Sequence, residues 1–134
     1  MKVPFFLCAL ALAMAACRPA EKPMPDLFPE NAGLWRRASM RELKPAEAPD
    51  PVPQASIERI RAASYDGAGK VEARVYQMST SAVALDLVQR WQTAPNMLYF
   101  YADRFFVVVR WDSAERKELH ELVSVLEKRL NAKQ

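Results

Sequence analysis

Between Asn96 and Trp111 the chain reads NMLYFYADRFFVVVRW, and this run constrains the fold more than any other. Aromatic and β-branched side chains fill it, as suits strands. Ala102-Asp103 is the natural interruption, so two strands over 96–101 and 104–111 with a two-residue turn are expected. With that turn Tyr101 pairs with Arg104, Tyr99 with Phe106, and Met97 with Val108. Successive side chains in a strand point to opposite faces. Leu98, Phe100, Phe105, Val107, Val109 and Trp111 then make one wholly apolar face, which belongs under helices. Met97, Tyr99, Tyr101, Arg104, Phe106, Val108 and Arg110 make the other, a mixture of aromatic and cationic groups.

The remaining elements follow from period and punctuation. Residues 34–43, with Trp35, read as a first strand. Lys44 to Pro53 holds Pro45, Pro49, Pro51 and Pro53 and reads as an exposed loop without regular structure. A strand over 56–65, the turn Asp66-Gly67-Ala68-Gly69 and a strand over 71–78 form a hairpin. In the latter, Val71, Ala73 and Val75 point one way and Glu72, Arg74 and Tyr76 the other. Ser79-Thr80-Ser81 offers caps for a helix that carries Ala84, Leu87, Val88 and Trp91 at helical spacing and ends before Pro95. Asp112 with Glu115 has the form of a capping box for a last helix, whose stripe is Leu119, Leu122, Val123, Leu126 and Leu130. Lys128 and Arg129 lie near its end, where the helix dipole favours cations. The order implies one α+β domain: an antiparallel sheet of about five strands with two helices packed on one face.

Motifs for chemistry are few. His120 is the one histidine of the chain, and on a charged helix it reads as a solvated side chain. No metal or other cofactor is implied, since a metal site would need carboxylates alone. Gly67-Ala68-Gly69 lacks the strand-to-helix context and the Lys-Ser/Thr of a phosphate loop. No serine sits in a nucleophile elbow. Ser113 and His120 are two helical turns apart, too far for a nucleophile and its base. A net charge of +3 gives no case for nucleic acid. An enzyme is the lesser expectation, and no catalytic residue is named.

The N-terminus carries a different message. Lys2, an apolar run from Val3 to Met14, two alanines and Cys17 have the order of a secretory signal. The run is too short for a permanent membrane span, which takes roughly 20 residues. Cys8 lies inside the segment to be removed, which leaves Cys17 without a partner for an internal disulfide. Met14-Ala15-Ala16-Cys17 resembles the lipobox of bacterial lipoproteins. The resemblance implies a signal peptide over 1–16, a diacylglyceryl group on the Cys17 thiol and usually an acyl chain, such as palmitate, on its amine. Arg18, where an inner-membrane lipoprotein of the commonest sorting rule has Asp, implies the outer membrane, facing the periplasm. The alternative is a signal cut at an A-x-A site, giving a soluble periplasmic protein. Prolines and charges make 17–31 a tether and leave 32–134 for the domain. Leu27-Phe28-Pro29-Glu30 followed by Trp35 is similar in pattern to small envelope domains of uncharacterised function, a likeness that implies no activity.

Together these features lead to a lipid-anchored envelope protein, a non-catalytic binding or accessory module. Its contact surface is the amphipathic sheet face with Tyr76, Tyr99, Tyr101, Arg104, Phe106 and Arg110, because Tyr and Arg are enriched at binding hot spots. The expected partners are the membrane, through the lipid, and an envelope protein, peptide or glycan. An alternative is an envelope hydrolase or transferase whose carboxylates no motif reveals.

Overall fold

A computed structural model of the chain describes residues 27–132. Cys17, the expected signal segment and the expected tether up to residue 26 lie outside the described residues. Within them the elements are β1 (Asn31–Ala32), β2 (Trp35–Leu43), β3 (Ile57–Asp66), β4 (Lys70–Met78), α1 (Ser81–Arg90), β5 (Met97–Ala102), β6 (Phe105–Trp111) and α2 (Arg116–Asn131). Among the described residues the strands form one six-stranded antiparallel sheet in the order β1-β2-β3-β4-β6-β5. The single α+β domain with an antiparallel sheet is as the sequence implies. The strand beyond the expected five is β1, whose two residues are too short to show a period.

The domain begins earlier than residue 32. Leu27 and Phe28 are buried, Phe28 completely. The Tyr65 hydroxyl donates to the Pro29 carbonyl at 2.8 Å, and Arg37 donates to the Phe28 carbonyl at 2.8 Å. Residues 27–29 are thus packed into the domain rather than held off it, because two adjacent apolar side chains there gain more from burial than from hydration.

Two cores lie on opposite faces of the sheet. The first gathers Trp35, Ala63, Tyr65, Val71, Ala73, Val75, Phe105, Val107 and Val109 under Leu119, Leu122, Leu126 and Leu130 of α2. That helix touches both edge strands, β1 and β5, so the sheet curls around it. The Trp35 indole donates to the Glu118 carbonyl of α2 at 2.8 Å and pins helix to strand. The second core gathers Leu43, Val52, Ile60, Ala62, Tyr76, Met78, Phe106 and Val108 under Ala84 and Leu87 of α1.

The sequence pattern puts both helices on one face; the structure puts them on opposite faces. The cause is topology. β4 and β5 both pair antiparallel to β6, so they run parallel to each other. α1 is the crossover between them. Parallel crossovers are right-handed in nearly all proteins, so connection rather than helix composition selects the face.

The register of the C-terminal hairpin also differs. Ala102 pairs with Phe105, Tyr101 with Phe106, Tyr99 with Val108 and Met97 with Arg110. The turn is Asp103-Arg104, with Asp103 at φ 53, a left-handed conformation that Asp accepts more readily than most residues. The slip is two residues, an even number, so every side chain keeps its expected face. Phe105, Val107 and Val109 are buried under α2, and Trp111 is half-buried against the same core.

α2 starts four residues after Asp112, and the expected capping box is not formed. Its N-cap is Glu115, which makes no side-chain cap bond. The Asp112 amide instead donates to the Lys70 carbonyl at 3.1 Å and continues the sheet. α1 is capped as its sequence suggests: the Thr80 hydroxyl accepts from the Val83 amide at 3.3 Å. It ends at Arg90, well before Pro95. The Pro-rich loop is more ordered than its composition implies. It holds a short 3-10 turn at Pro45–Glu47 and is followed by another at Gln54–Ser56, and its Val52 is buried in the second core.

Candidate functional site

The expected contact face splits into two halves. Its apolar half is the second core. Phe106 is 0% exposed and Tyr76 2%. Phe106 is the centre of an aromatic group, its ring centroid 4.9 Å from Trp91, 5.9 Å from Tyr76 and 6.3 Å from Tyr99. Tyr99 is half-buried, with its hydroxyl bonded to Thr93 and to the Trp91 carbonyl. These side chains are interior packing, so Phe106 is not part of an open surface, and the body of Tyr76 is not either. The cover is α1, Trp91 and the Pro-rich loop, while Trp35 lies on the opposite face. Tyr101 is exposed at the edge of the sheet. Arg104 lies in the turn and ion-pairs with Glu58 of β3 at 3.4 Å.

The other half is open, because α1 covers only one end of the strands. Register defines it row by row. Ser39, Ser64, Glu72, Arg110 and Met97 lie side by side across five strands. In the next row come Arg41, Ala62, Arg74, Val108 and Tyr99. Arg41 and Arg110 are exposed, and Glu72 and Arg74 half-buried. A depression of about 160 Å³ lies here, lined by Glu47, Pro49, Glu72, Arg74, Tyr76, Trp91, Val108 and Arg110. A wider one of about 520 Å³ adjoins it around Asp50, Arg90, Trp91, Thr93 and Arg110. A third, of about 400 Å³, reaches from Arg110 and Glu72 to Ser64, Asp66 and Lys70. Arg110 lines all three.

The electrostatics of this half-face centre on Arg74. Its guanidinium bonds a Glu72 oxygen at 2.9 Å and also acts on the Tyr76 hydroxyl. Burial pulls the Arg74 pKa down, but the contacts with Tyr76 and Glu72 outweigh it, so the group is held more firmly cationic. Burial pushes the Tyr76 hydroxyl above its ordinary range, with Arg74 and Arg110 opposing that rise. Tyr76 therefore presents a neutral hydroxyl, held by a permanent cation. Arg110 makes no ion pair among the described residues.

Of the residues singled out from sequence, Tyr76 and Arg110 meet at this open half, Tyr99 and Phe106 support it from below, and Tyr101 and Arg104 lie elsewhere. Glu72, Arg41 and Trp91 are the additions. Alternation in β4 already puts Glu72 and Arg74 on the face of Tyr76; what the sequence lacks is the pairing of β4 with β6 that sets Glu72 beside Arg110. His120 is exposed on α2. Among the described residues no three His, Cys, Asp or Glu side chains form a metal-binding group, and no helix is long and apolar enough to cross a membrane. Comparison with protein-family models, with curated proteins and with solved structures gives no match.

Proposed function

We propose that this chain is a lipid-anchored protein of the bacterial cell envelope, attached through Cys17, whose domain binds a carboxylate-bearing envelope ligand on the open half of its sheet face. The observation that carries the binding reading is the juxtaposition of Arg74 and Arg110 beside the Tyr76 hydroxyl and the Trp91 ring. Guanidinium groups take carboxylates in paired hydrogen bonds that are about twice as strong as neutral ones. Arg74 already holds a carboxylate, that of Glu72, and Arg110 has none among the described residues. The flanking indole offers an apolar face for a sugar ring or a side chain.

The anchor rests on Met14-Ala15-Ala16-Cys17 and its preceding apolar run. Two or more acyl chains bind a membrane stably, at ~0.8 kcal/mol per buried CH₂, where one chain does not. Mass spectrometry of the mature protein tests it. A first residue at Cys17 carrying fatty acyl mass supports the anchor; an unlipidated start within residues 12–16 removes it.

For the ligand, NMR titrations use an oligomer of glucuronate and, separately, a glutamate-rich peptide. Shifts centred on Arg74, Arg110 and the Trp91 indole, lost in Arg110→Ala, are expected with at least one. No shift with either, or shifts that Arg110→Ala leaves in place, defeats the reading. Glu47 and Glu72 lining the same depression favour a second reading, a hydrolase or transferase with both as its carboxylates. Turnover of a glycan probe that Glu47→Gln and Glu72→Gln each abolish would select it.

A further inference from the structure

The two edges of the sheet are built differently. On one side the terminal strand β1 has two residues, and the strand behind it carries Arg36, Arg37, Arg41 and Glu42 and a bulge between Arg37 and Ser39. Charges, bulges and short strands are the usual protection against strand addition. On the other side β5 reads MLYFYA over its whole length, with no charge, no proline and no bulge. By the same reasoning it is an unprotected template.

We propose that β5 is the surface through which two copies of this chain associate, pairing antiparallel about Tyr99 so that one sheet continues into the other. Hydrogen-bonded and non-bonded pairs alternate along β5 and β6. The pair closing the two-residue turn, Ala102 with Phe105, is a bonded one, so Ala102, Phe100 and Leu98 spend their amides and carbonyls on β6. Asn96 agrees with that phase, since its carbonyl accepts from the Trp111 amide. Met97, Tyr99 and Tyr101 point theirs outward, and no backbone bond to them from outside the sheet is present among the described residues.

A two-fold axis through Tyr99 sets Tyr99 against its mate and Met97 against Tyr101, with about two bonds for each of the three pairs. It also sets Leu98 against Phe100 of the second copy. Beside Leu98, between β5 and α2, lies a mainly apolar groove of about 390 Å³ lined by Trp111, Ala114, Leu119 and Val123, with Arg116 and His120 also on its wall. The half-buried Phe100 ring of the second copy faces that groove, and the symmetry supplies the same contact twice.

The charges favour a second copy as occupant. A two-fold contact sets like residues near their own mates, and a charged strand would repel itself. β5 has no charge to repel. Its flanking Asp103 and Arg104 come opposite Pro95 and Ala94, which are neutral. The guarded β1–β2 edge cannot accept β5, so association closes at two copies.

Sedimentation equilibrium of the full chain in detergent, with amide hydrogen exchange at rising concentration, tests this. The expected result is a monomer–dimer equilibrium in which the amides of Met97, Tyr99 and Tyr101 gain protection together as dimer forms. Tyr101→Pro removes an outward donor at an edge position where proline is tolerated. It should keep the fold and weaken dimerisation about tenfold or more, the equivalent of one or two lost bonds. A monomer at every concentration overturns the proposal. So does a dimer that a folded Tyr101→Pro leaves unchanged, or protection of these amides that appears only when a different envelope protein is added. The exchange measurement on the unmodified chain decides the matter if Tyr101→Pro does not fold.

Discussion

Under α2 the sheet presents Val71, Ala73, Val75, Val107 and Val109, and one helix of 16 residues closes over them with a single leucine stripe. On the other face the sheet presents Ile60, Tyr76, Phe106 and Val108, and the cover is assembled from parts: a helix of 10 residues, the ring of Trp91 and a Pro-rich loop that contributes Val52. The first cover spans the sheet from β1 to β5. The second stops midway, and where it stops the same strands carry Glu72, Arg74 and Arg110. In β3 the buried face changes between Ala62 and Ala63, and in β4 between Val75 and Tyr76. A sheet covered on both sides, but at different ends, leaves polar surface on each strand without interrupting the core.

The comparison breaks most directly at Phe106. If the second core matters as much as the first, Phe106→Asp places a carboxylate at a completely buried position among rings. Loss of the ring and burial of the charge together cost more than about 4 kcal/mol. Thermal unfolding followed by circular dichroism should show a domain without a cooperative transition. A folded Phe106→Asp would mean that the second cover is loose enough to lift away.

Paired truncations sharpen the comparison. Leu126 of α2 and Leu87 of α1 are both fully buried, and each change to Ala should cost about 2–5 kcal/mol in denaturant unfolding. Leu126→Ala should fall at the upper end, since α2 closes its face alone and little can refill the space. Leu87→Ala should fall lower, because the loop around Val52 is free to settle inward. Equal losses would show the composite cover to be as stiff as the single helix.

Tyr76 tests the boundary between core and open half-face. Its hydroxyl is raised above the ordinary tyrosine range by burial, so the folded state keeps a proton that the unfolded chain gives up near pH 10. The stability Tyr76 contributes is fully present below about pH 10 and is lost as pH climbs through the raised value. Tyr76→Phe should lower stability at neutral pH by about 1 kcal/mol, through the lost interaction of the hydroxyl with Arg74. It should also flatten the decline of stability above pH 10. An unchanged alkaline slope would show that the hydroxyl reaches water.

Alternation marked β4, whose successive side chains have opposite preferences, while the density of aromatic and β-branched residues marked β5 and β6, where β6 is buried on both faces. β1 escaped because two residues have no period. The start of α2 was misread because Asp112 and Glu115 satisfy a capping pattern, while the Asp112 amide is taken by Lys70, a partner distant in the chain. The hairpin turn was misplaced because Ala102 is a weak turn residue whose burial beside Phe105 outweighs it, and because Asp103 supplies the positive φ where glycine would normally do so. The open half-face was the least legible part. Its residues were visible singly, but only the β4–β6 register puts Glu72 beside Arg110, and only the topology of the α1 crossover decides that one end stays bare.

The smallest expected effect belongs to His120, and it separates helix faces rather than sheet faces. Leu119 and Leu122 of α2 point into the first core, whereas His120 is exposed at the rim of the groove beside β5. An exposed side chain outside the packed stripe contributes little, so His120→Ala should change stability by less than about 0.5 kcal/mol. Denaturant unfolding of both chains at neutral pH checks the size. A loss approaching that of Leu126→Ala would mean that α2 is rotated about its axis. The rotation would carry Val123 and the groove away from β5, and the grounds for seating Phe100 of a second copy there would go with it.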